Sequence, residues 1–185
     1  AMPPWRHFRP CGEPVVLSGT WSVEFIEGGP VLPAAYRTGK LASWTEAPDV
    51  AAQAFAGTAR YVLEFPAPPM RADAWLLDLG DVRHSARVRL NGRDLGTLVA
   101  LPFSVLLDHA VQKGRNRLEI EVTNLSANRI RDLDLRNVDW KIMKDINIVN
   151  VHYQAFDASH WPIEPSGLLG PVRLVPLEVF DPAAK

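Results

Sequence analysis

Short stretches of the chain place apolar residues at every second position. The segments 21–25, 86–90 and 117–123 follow this pattern, with polar or charged residues between the apolar ones. A period of two is that of a β-strand with one buried face, because successive side chains point to opposite faces. Glycine and proline separate the stretches, and no long segment has the helical period. The pattern predicts an all-β protein built as an antiparallel sandwich of short strands.

The strongest local sequence signal is a β-hairpin pattern over residues 86–98. Two alternating runs, 86–90 and 93–98, flank the dipeptide Asn91-Gly92. A two-residue Asn-Gly link is typical of a type I′ β-hairpin, because both central residues need a positive φ. We therefore expect these runs to form a hairpin, preceded by a buried strand over 75–80.

The apolar positions of the alternating stretches also predict the core. Side chains on the inward face of a strand are removed from water when the two sheets pack. Twelve side chains are therefore expected to be buried: Trp21, Phe25, Tyr61, Leu63, Trp75, Leu77, Val88, Leu90, Phe103, Leu118, Ile120 and Val122.

Residues 124–165 break the strand rhythm. They are rich in polar and aromatic groups and predict a long irregular region, with a short helix over 139–146 and a strand over 148–156. Long loops in compact domains are commonly functional. The strand expected over 167–179 contains two prolines, which predicts an edge position or a bulge because proline lacks the N–H that a central strand needs.

Length and composition restrict the functional classes. A chain of 185 residues with 47% hydrophobic and 22% charged residues predicts a single packed domain over 1–185, with 1–14 expected to be a leader or a cloning remnant. The net charge of −1 comes with no basic cluster, which argues against nucleic acid as a partner. No apolar run approaches the ~20 residues that cross a bilayer, so no membrane partner is expected. The sequence shows no signal-peptide pattern. The lone Cys11 excludes an intramolecular disulfide framework.

Familiar catalytic motifs are absent from the sequence. It contains no G-x-S-x-G, no glycine-rich phosphate loop and no H-E-x-x-H. His152 and His160 lie in a region without cysteine, which does not identify a metal site. Glycoside hydrolysis needs two facing carboxylates, and the spacing of the acids over 132–164 does not show whether any two face each other. No catalytic residue is assigned, and the metal content stays open.

Residue types that suit sugar binding concentrate over 128–161. An aromatic ring stacks on the C–H face of a pyranose, while Arg, Asn and Asp bind its hydroxyl or carboxylate groups. Trp140 and Trp161 lie in polar surroundings and are candidate stacking platforms, and the 31–57 loop around Trp44 is a second candidate surface. Core packing of each Trp and surface ion pairs of the arginines remain the alternatives. The candidate carbohydrate-binding residues are Asn128, Arg129, Asp132, Trp140, Tyr153, His160 and Trp161.

Several short motifs, in a fixed order, carry a family resemblance. The segment 77–98, LDLGDVRHSARVRLNGRDLGTL, resembles the sugar-binding jelly-roll domain of glycoside hydrolase family 2. Other motifs are similar to the C-terminal β-sandwich of family 106 rhamnosidase-type hydrolases: Leu17–Trp21, Leu41–Thr45, Gly57–Tyr61, Leu118–Leu125 with Asn128-Arg129, and Ser166–Val172. Together they cover nearly the whole chain.

The resemblance implies a galactose-binding-domain-like jelly roll. In these families the catalytic acids lie on a separate barrel domain, so the chain is expected to be a non-catalytic carbohydrate-binding domain of a polysaccharide-degrading enzyme. Its implied partners are an oligo- or polysaccharide, with rhamnose-containing plant or algal glycans favoured, and the catalytic domain of the parent enzyme. The implied location is secreted or periplasmic. No cofactor is expected, and a structural calcium ion, which some such domains hold, stays open.

Two other functions remain open at this point. The domain could brace a catalytic barrel without binding sugar independently, or it could be a sandwich with glycosidase or lyase activity of its own.

Overall fold

A computed structural model describes residues 5–142, 151–152 and 154–182. The strands of this part, in chain order, are β1 (His7–Pro10), β2 (Val15–Val16), β3 (Trp21–Gly29), β4 (Tyr36–Thr38), β5 (Ala56–Pro66), β6 (Ala74–Asp78), β7 (Asp81–Arg83), β8 (Ser85–Leu90), β9 (Arg93–Leu98), β10 (Ser104–Leu107), β11 (Arg115–Thr123), β12 (Gly167–Gly170) and β13 (Arg173–Phe180). Two 3-10 helices (Trp44–Glu46 and Val50–Ala54) and one α-helix, α1 (Ala127–Leu135), complete the regular structure of the described residues.

The strands form an antiparallel β-sandwich, as the sequence predicts. One sheet has the order β4-β3-β5-β11-β8-β9, and the other has the order β1-β13-β6-β10 with β2 also paired to β13. β7 and β12 form a separate two-stranded sheet. The core lies between the sheets, and all twelve side chains predicted to be buried are at most 8% exposed. The alternation of apolar residues is therefore a correct guide to the facing of these strands.

The predicted hairpin is confirmed. Leu90 of β8 pairs with Arg93 of β9, so only two residues link the strands. These residues have φ values of 53° at Asn91 and 79° at Gly92. The Asn91 side chain adds a further constraint, because its amide donates to Asn116 Oδ1 (2.8 Å) and its Oδ1 accepts the Arg117 N–H (2.9 Å). The turn is thus attached to the neighbouring strand β11 as well as closed on itself.

The last strand, predicted over 167–179 with an edge position or a bulge, is divided into β12 and β13. Among the described strands β12 pairs only with β7, and it has a register shift between Leu168 and Gly170, as predicted. For β13 the predicted edge position is wrong, because β13 lies between β6 on one side and β1 and β2 on the other. Pro176 is tolerated because β1 pairs with β13 only from Leu177 onward and β2 only up to Leu174. The Pro176 carbonyl accepts the Cys11 N–H across this interruption (3.0 Å). Since the N–H and C=O of a strand residue face the same neighbour, the missing donor of Pro176 faces the interruption too.

Regular structure also begins earlier than expected. His7–Pro10, within the segment expected to be a leader, forms β1 and pairs with β13 along its whole length. That part of the segment belongs to the sandwich.

The irregular region holds the largest difference from the prediction. A helix forms at Ala127–Leu135, where a loop was predicted. Residues 139–142 of the predicted short helix are not helical, and 143–150 lie outside the described residues. Of the predicted strand over 148–156, residues 151–152 form a turn and 154–156 have no regular structure. Periodicity missed α1 because Asn128 is its one buried residue, so the helix lacks the apolar stripe that a pattern search detects.

Strand directions place the irregular region at one end of the sandwich. β3 ends, β5 begins and β11 ends there, as the pairs Gly29 with Ala56 and Thr58 with Thr123 show. The loop after β9 reaches the same end, because Leu98 pairs with Ala86. In the described part of the chain, no helix is long and apolar enough to cross a membrane.

Truncation of a core side chain should lower the free energy of unfolding strongly. Ile120 is fully buried at the centre of β11, so Ile120→Ala should cost about 2–5 kcal/mol through lost apolar burial and a residual cavity. Leu106→Ala is the matched control, since Leu106 lies in β10 and is 40% exposed. Denaturant unfolding measures both variants, and equal small losses would contradict the assigned facing of β11.

The hairpin turn makes a second prediction. Gly92→Val should lower the free energy of unfolding by about 1–2 kcal/mol, because a β-branched residue resists a φ of +79°. No atom lies within 4 Å of a Cβ built at Gly92 or at the control position Gly39, where φ is not in the left-handed region. An added Cβ therefore meets no residue beyond its chain neighbours at either site, and a similar loss in Gly92→Val and Gly39→Val melts would show that the turn conformation is not responsible.

Candidate functional site

One face of α1 holds the backbone of the segment 158–164. Asn128, Arg131 and Asp134 lie three residues apart, so they share this face. The Asn128 amide donates to the Glu164 carbonyl and accepts the Glu164 N–H, both at 2.8 Å. Arg131 Nε donates to the Trp161 carbonyl (2.7 Å), and Asp134 Oδ2 accepts the Ala158 N–H (2.7 Å). We call this set of side-chain contacts the α1 ladder.

A buried polar cluster attaches the α1 ladder to the sandwich. The Ser166 hydroxyl accepts hydrogen bonds from the amides of Asn124 (3.1 Å) and Asn128 (3.3 Å), and the Ser166 N–H donates to Ser43 Oγ (2.9 Å). Asn124 also accepts the Gly57 N–H (2.9 Å) at the start of β5. All four side chains of this cluster are buried and bonded, as buried polar groups must be to avoid a desolvation penalty. The motifs around Ser43, Asn124, Asn128 and Ser166 that carry the resemblance thus meet at one place.

The Asp134 carboxylate connects α1 to the turn that follows it. In addition to the Ala158 N–H, it accepts the Trp140 Nε1–H (2.7 Å) and pairs with Lys141 Nζ (3.0 Å). The Asp134 side chain is only 6% exposed. These donors, with the Ala158 N–H the strongest influence, hold the pKa of Asp134 below its ordinary value of 3.8. The carboxylate is therefore ionised and serves as a structural anchor.

Three aromatic rings form a group on the segment that the α1 ladder holds. Phe156 lies between Trp140 and Trp161, edge-on to both, with ring centroids 6.2 Å and 5.6 Å away. Lys141 Nζ lies 5.5 Å from the Trp140 centroid and 5.4 Å from the Phe156 centroid, so its cation covers these two rings. Trp161 has no such cover among the described residues and is 40% exposed. It is the ring best placed to stack on a ligand.

The structure places some of the predicted binding residues together at the surface and buries another. Trp140 and Trp161 join the aromatic group, and His160 is exposed beside them, 3.8 Å from Asp157. Asn128 is 3% exposed with both amide atoms bonded to the Glu164 backbone, so it holds the loop and does not present a group at the surface.

Arg129 and Asp132, two of the predicted sugar-binding residues, form ion pairs within the protein. Arg129 lies 3.4 Å from Asp132, and Arg136 binds the same carboxylate at 2.7 Å. This is the surface ion-pair arrangement that the sequence left open as the alternative. Tyr153 lies outside the described residues.

Trp44, the centre of the second candidate surface, is not available for stacking. It is fully buried and packs edge-on against Phe25 and Phe55. It is a core residue that belongs to the 3-10 helix Trp44–Glu46.

Sequence reasoning missed Arg131, Asp134, Lys141 and Phe156 as parts of this site. A signal existed for two of them, because Asn128, Arg131 and Asp134 recur at the spacing of a helix face. The partners of these side chains are backbone atoms some 24 to 36 residues away, and no local pattern identifies such contacts.

A shallow depression of about 510 Å³ lies beside the aromatic group. Its lining includes Asp134, Asn137, Asp139, Lys141 and Asp157. Among the residues that the structure describes, no group of three or more His, Cys, Asp or Glu side chains is arranged to hold a metal ion.

Comparison with known proteins connects this fold to glycoside hydrolases. No protein-family model matches the chain. A protein of Formosa agariphila described as "Putative beta-glucuronidase" is 34% identical in an alignment 181 residues long that covers 88% of this chain and 16% of the relative. A solved rhamnosidase from Novosphingobium sp. PP1Y is similar at a TM-score of 0.67 and 29% identity, over 95% of this chain and 16% of that one. A β-glucuronidase from Bifidobacterium dentium, solved with coumarin-3-O-glucuronide, is similar at a TM-score of 0.60 and 21% identity, over 90% of this chain and 31% of that one.

These similarities confirm the resemblance to the sandwich domains of glycoside hydrolase family 2 and of rhamnosidase-type hydrolases. In each case the matched region is a small domain of a much longer glycoside hydrolase, and the chain spans about a sixth of the Formosa relative.

The anchoring role of Asp134 predicts a specific pH dependence. Because the pKa of Asp134 is lower in the folded state than in the unfolded state, its contribution to stability is present above about pH 4 and is lost as the pH falls through the folded-state value. Asp134→Asn should lower the free energy of unfolding by about 1–3 kcal/mol near neutral pH, since a donor is left without its acceptor.

The pH series separates this effect from a general loss of packing. The stability difference between the parent and Asp134→Asn should be constant over about pH 5–7 and shrink below about pH 4. Urea unfolding at each pH measures it. A difference that stays unchanged into the acid range would contradict an ionised anchor.

Proposed function

We propose that the chain is a non-catalytic carbohydrate-binding domain of a polysaccharide-degrading glycoside hydrolase, with Trp161 as its stacking platform. The observation that supports it most is an exposed indole on a segment fixed by the α1 ladder, in a domain similar to small parts of glycoside hydrolases. A rigid aromatic ring binds a pyranose with little loss of conformational entropy, because the protein has already ordered it.

The order of the loop backbone is what makes Trp161 useful. Its carbonyl is fixed by Arg131 and its N–H donates to the Ala158 carbonyl (3.0 Å), so both backbone polar groups of the residue are bonded. The side chain then projects from a defined point next to Phe156. One platform with a few polar contacts desolvates few atoms and should give a dissociation constant of about 10 µM to 1 mM.

Substrate, partners and location follow from the similar proteins as part of the proposal. The 29% identity to a rhamnosidase favours rhamnose-containing plant or algal glycans, and the glucuronidase relative makes uronate-containing ones the next to test. The partner domain would be the catalytic domain of a parent enzyme. An enzyme that degrades polysaccharides meets them outside the cytoplasm, so the proposed location is secreted or periplasmic.

A second candidate function is to brace a neighbouring catalytic domain. The same end of the sandwich exposes apolar side chains, with Val50, Val99 and Leu101 at 72%, 74% and 80%. Exposed apolar residues gathered at one end are typical of a surface that another domain covers. The two functions differ in whether the isolated domain binds sugar.

Removal of the platform should weaken binding without unfolding the protein. A glycan array on the purified domain identifies a ligand, and calorimetry then compares the variants. Trp161→Ala should weaken binding at least about tenfold, or about 1.4 kcal/mol, because the stacked surface is lost. Trp5→Ala is the matched control, since Trp5 is 90% exposed. Trp140→Ala should reduce stability more than affinity, because the Trp140 N–H holds Asp134.

Two outcomes would contradict the proposal. If no glycan binds the folded domain, the bracing function is favoured. If a glycan binds Trp161→Ala as tightly as the parent, the site lies elsewhere on the sandwich.

A further inference from the structure

The cationic side chains of α1 and the turn after it differ in their partners. Arg129 and Arg136 share the Asp132 carboxylate, and Lys141 pairs with Asp134. Arg131 forms no ion pair within 4.0 Å among the residues that the structure describes, and its hydrogen bond is to a neutral carbonyl. Among the described arginine and lysine residues of α1 and the turn after it, Arg131 is the one without a carboxylate partner, so it can bind an external group.

The hydrogen bonds of Arg131 leave a defined part of its guanidinium unused. Nε donates to the Trp161 carbonyl at 2.7 Å, while neither terminal nitrogen has a hydrogen bond to any residue that the structure describes. The bond at Nε fixes the plane of the group beside residue 161. A guanidinium is a planar fork whose terminal nitrogens match two neighbouring oxygen atoms of an acceptor.

We infer that Arg131 is a specificity-determining residue of the binding site, taking a pair of neighbouring oxygens on the sugar that stacks on Trp161. This inference rests on the proposed function and extends it. Two chemical groups present such a pair: a carboxylate and two hydroxyls on adjacent ring carbons. Arg131 acts in place of Asn128, whose amide is bonded to the Glu164 backbone, and of Arg129, whose charge is paired with Asp132.

Arg131 has a double role in this arrangement. Through Nε it holds the backbone of the platform, and through its terminal nitrogens it contacts the ligand. A lysine could supply charge but neither the fork nor the fixed plane, so the two residues are not equivalent here.

Nuclear magnetic resonance titration of the whole chain tests the inference with three sugars. The probes are glucuronate, glucose and 2-deoxyglucose, which compare a carboxylate with a neutral sugar and a diol with its deoxy form. The variants are Arg131→Lys and the control Arg136→Lys, whose parent side chain lies on the same helix and binds Asp132. The signals followed are the Trp161 indole N–H and the Arg131 Nε–H.

In the parent and in Arg136→Lys, the dissociation constant obtained from the Trp161 signal should be at least about fivefold lower for one member of a probe pair than for the other. The Arg131 Nε–H should shift with that sugar. Preference for glucuronate over glucose identifies the carboxylate as the acceptor, and preference for glucose over 2-deoxyglucose identifies the diol. In Arg131→Lys the ratio of the two dissociation constants should fall to about twofold or less. Any sugar that still binds should still shift the Trp161 signal.

The opposing results are distinct. An unchanged preference in Arg131→Lys, or a parent that binds all three sugars equally through Trp161, overturns the role of Arg131 and leaves the platform in place. No response of the Trp161 signal to any of the three sugars in the folded parent overturns the inference. A shift of that signal by a glycan selected on the array would then leave the proposed platform in place, and its absence would overturn the proposed function as well.

Discussion

The α1 ladder is the constraint on which the rest of the site depends. Residues 158–164 have no regular structure, so their backbone N–H and C=O groups have no strand or helix partners of their own. Asn128, Arg131 and Asp134 provide those partners at three successive points. Bonds to charged groups are stronger than neutral ones, and two of the three residues are charged. An irregular segment is thereby fixed well enough to present one aromatic ring.

The sandwich contributes a fixed base for this arrangement. Ser166 binds α1 through Asn128 and the residue after β11, Asn124. It also binds Ser43, the N-cap of the 3-10 helix Trp44–Glu46, and every member of the cluster is buried. A buried polar network with all groups bonded specifies one geometry, because any rearrangement leaves a donor or an acceptor without a partner. The motifs that relate this chain to glycoside hydrolase sandwiches therefore encode the attachment of the loop, and the ligand contacts are assigned to other residues.

How far the sequence predicts the molecule depends on how local each interaction is. Asn91-Gly92 fixes its own turn, and Leu118, Ile120 and Val122 reveal their facing by alternation, so these features are predicted correctly. α1 was missed because its stability comes from polar contacts with residues far along the chain and not from an apolar stripe. Pro176 was misplaced for a related reason, since the interruption of its neighbouring strand is a tertiary feature.

For the candidate site, residue type was a poorer guide than for the core. An Asn suited to binding a sugar hydroxyl is equally suited to binding a backbone amide, and Asn128 does the latter. Trp140 and Trp161, the two predicted stacking candidates, lie in one aromatic group, and only the contacts of each ring show which of them is open to a ligand.

A crystal structure of the domain with the glycan selected on the array tests the central claim most directly. The account predicts a pyranose ring parallel to the Trp161 indole, with two of its oxygens at the terminal nitrogens of Arg131 and the α1 ladder unchanged. A glycan bound at another surface, such as the exposed loop at Val99 and Leu101, with Trp161 facing empty solvent, would contradict it.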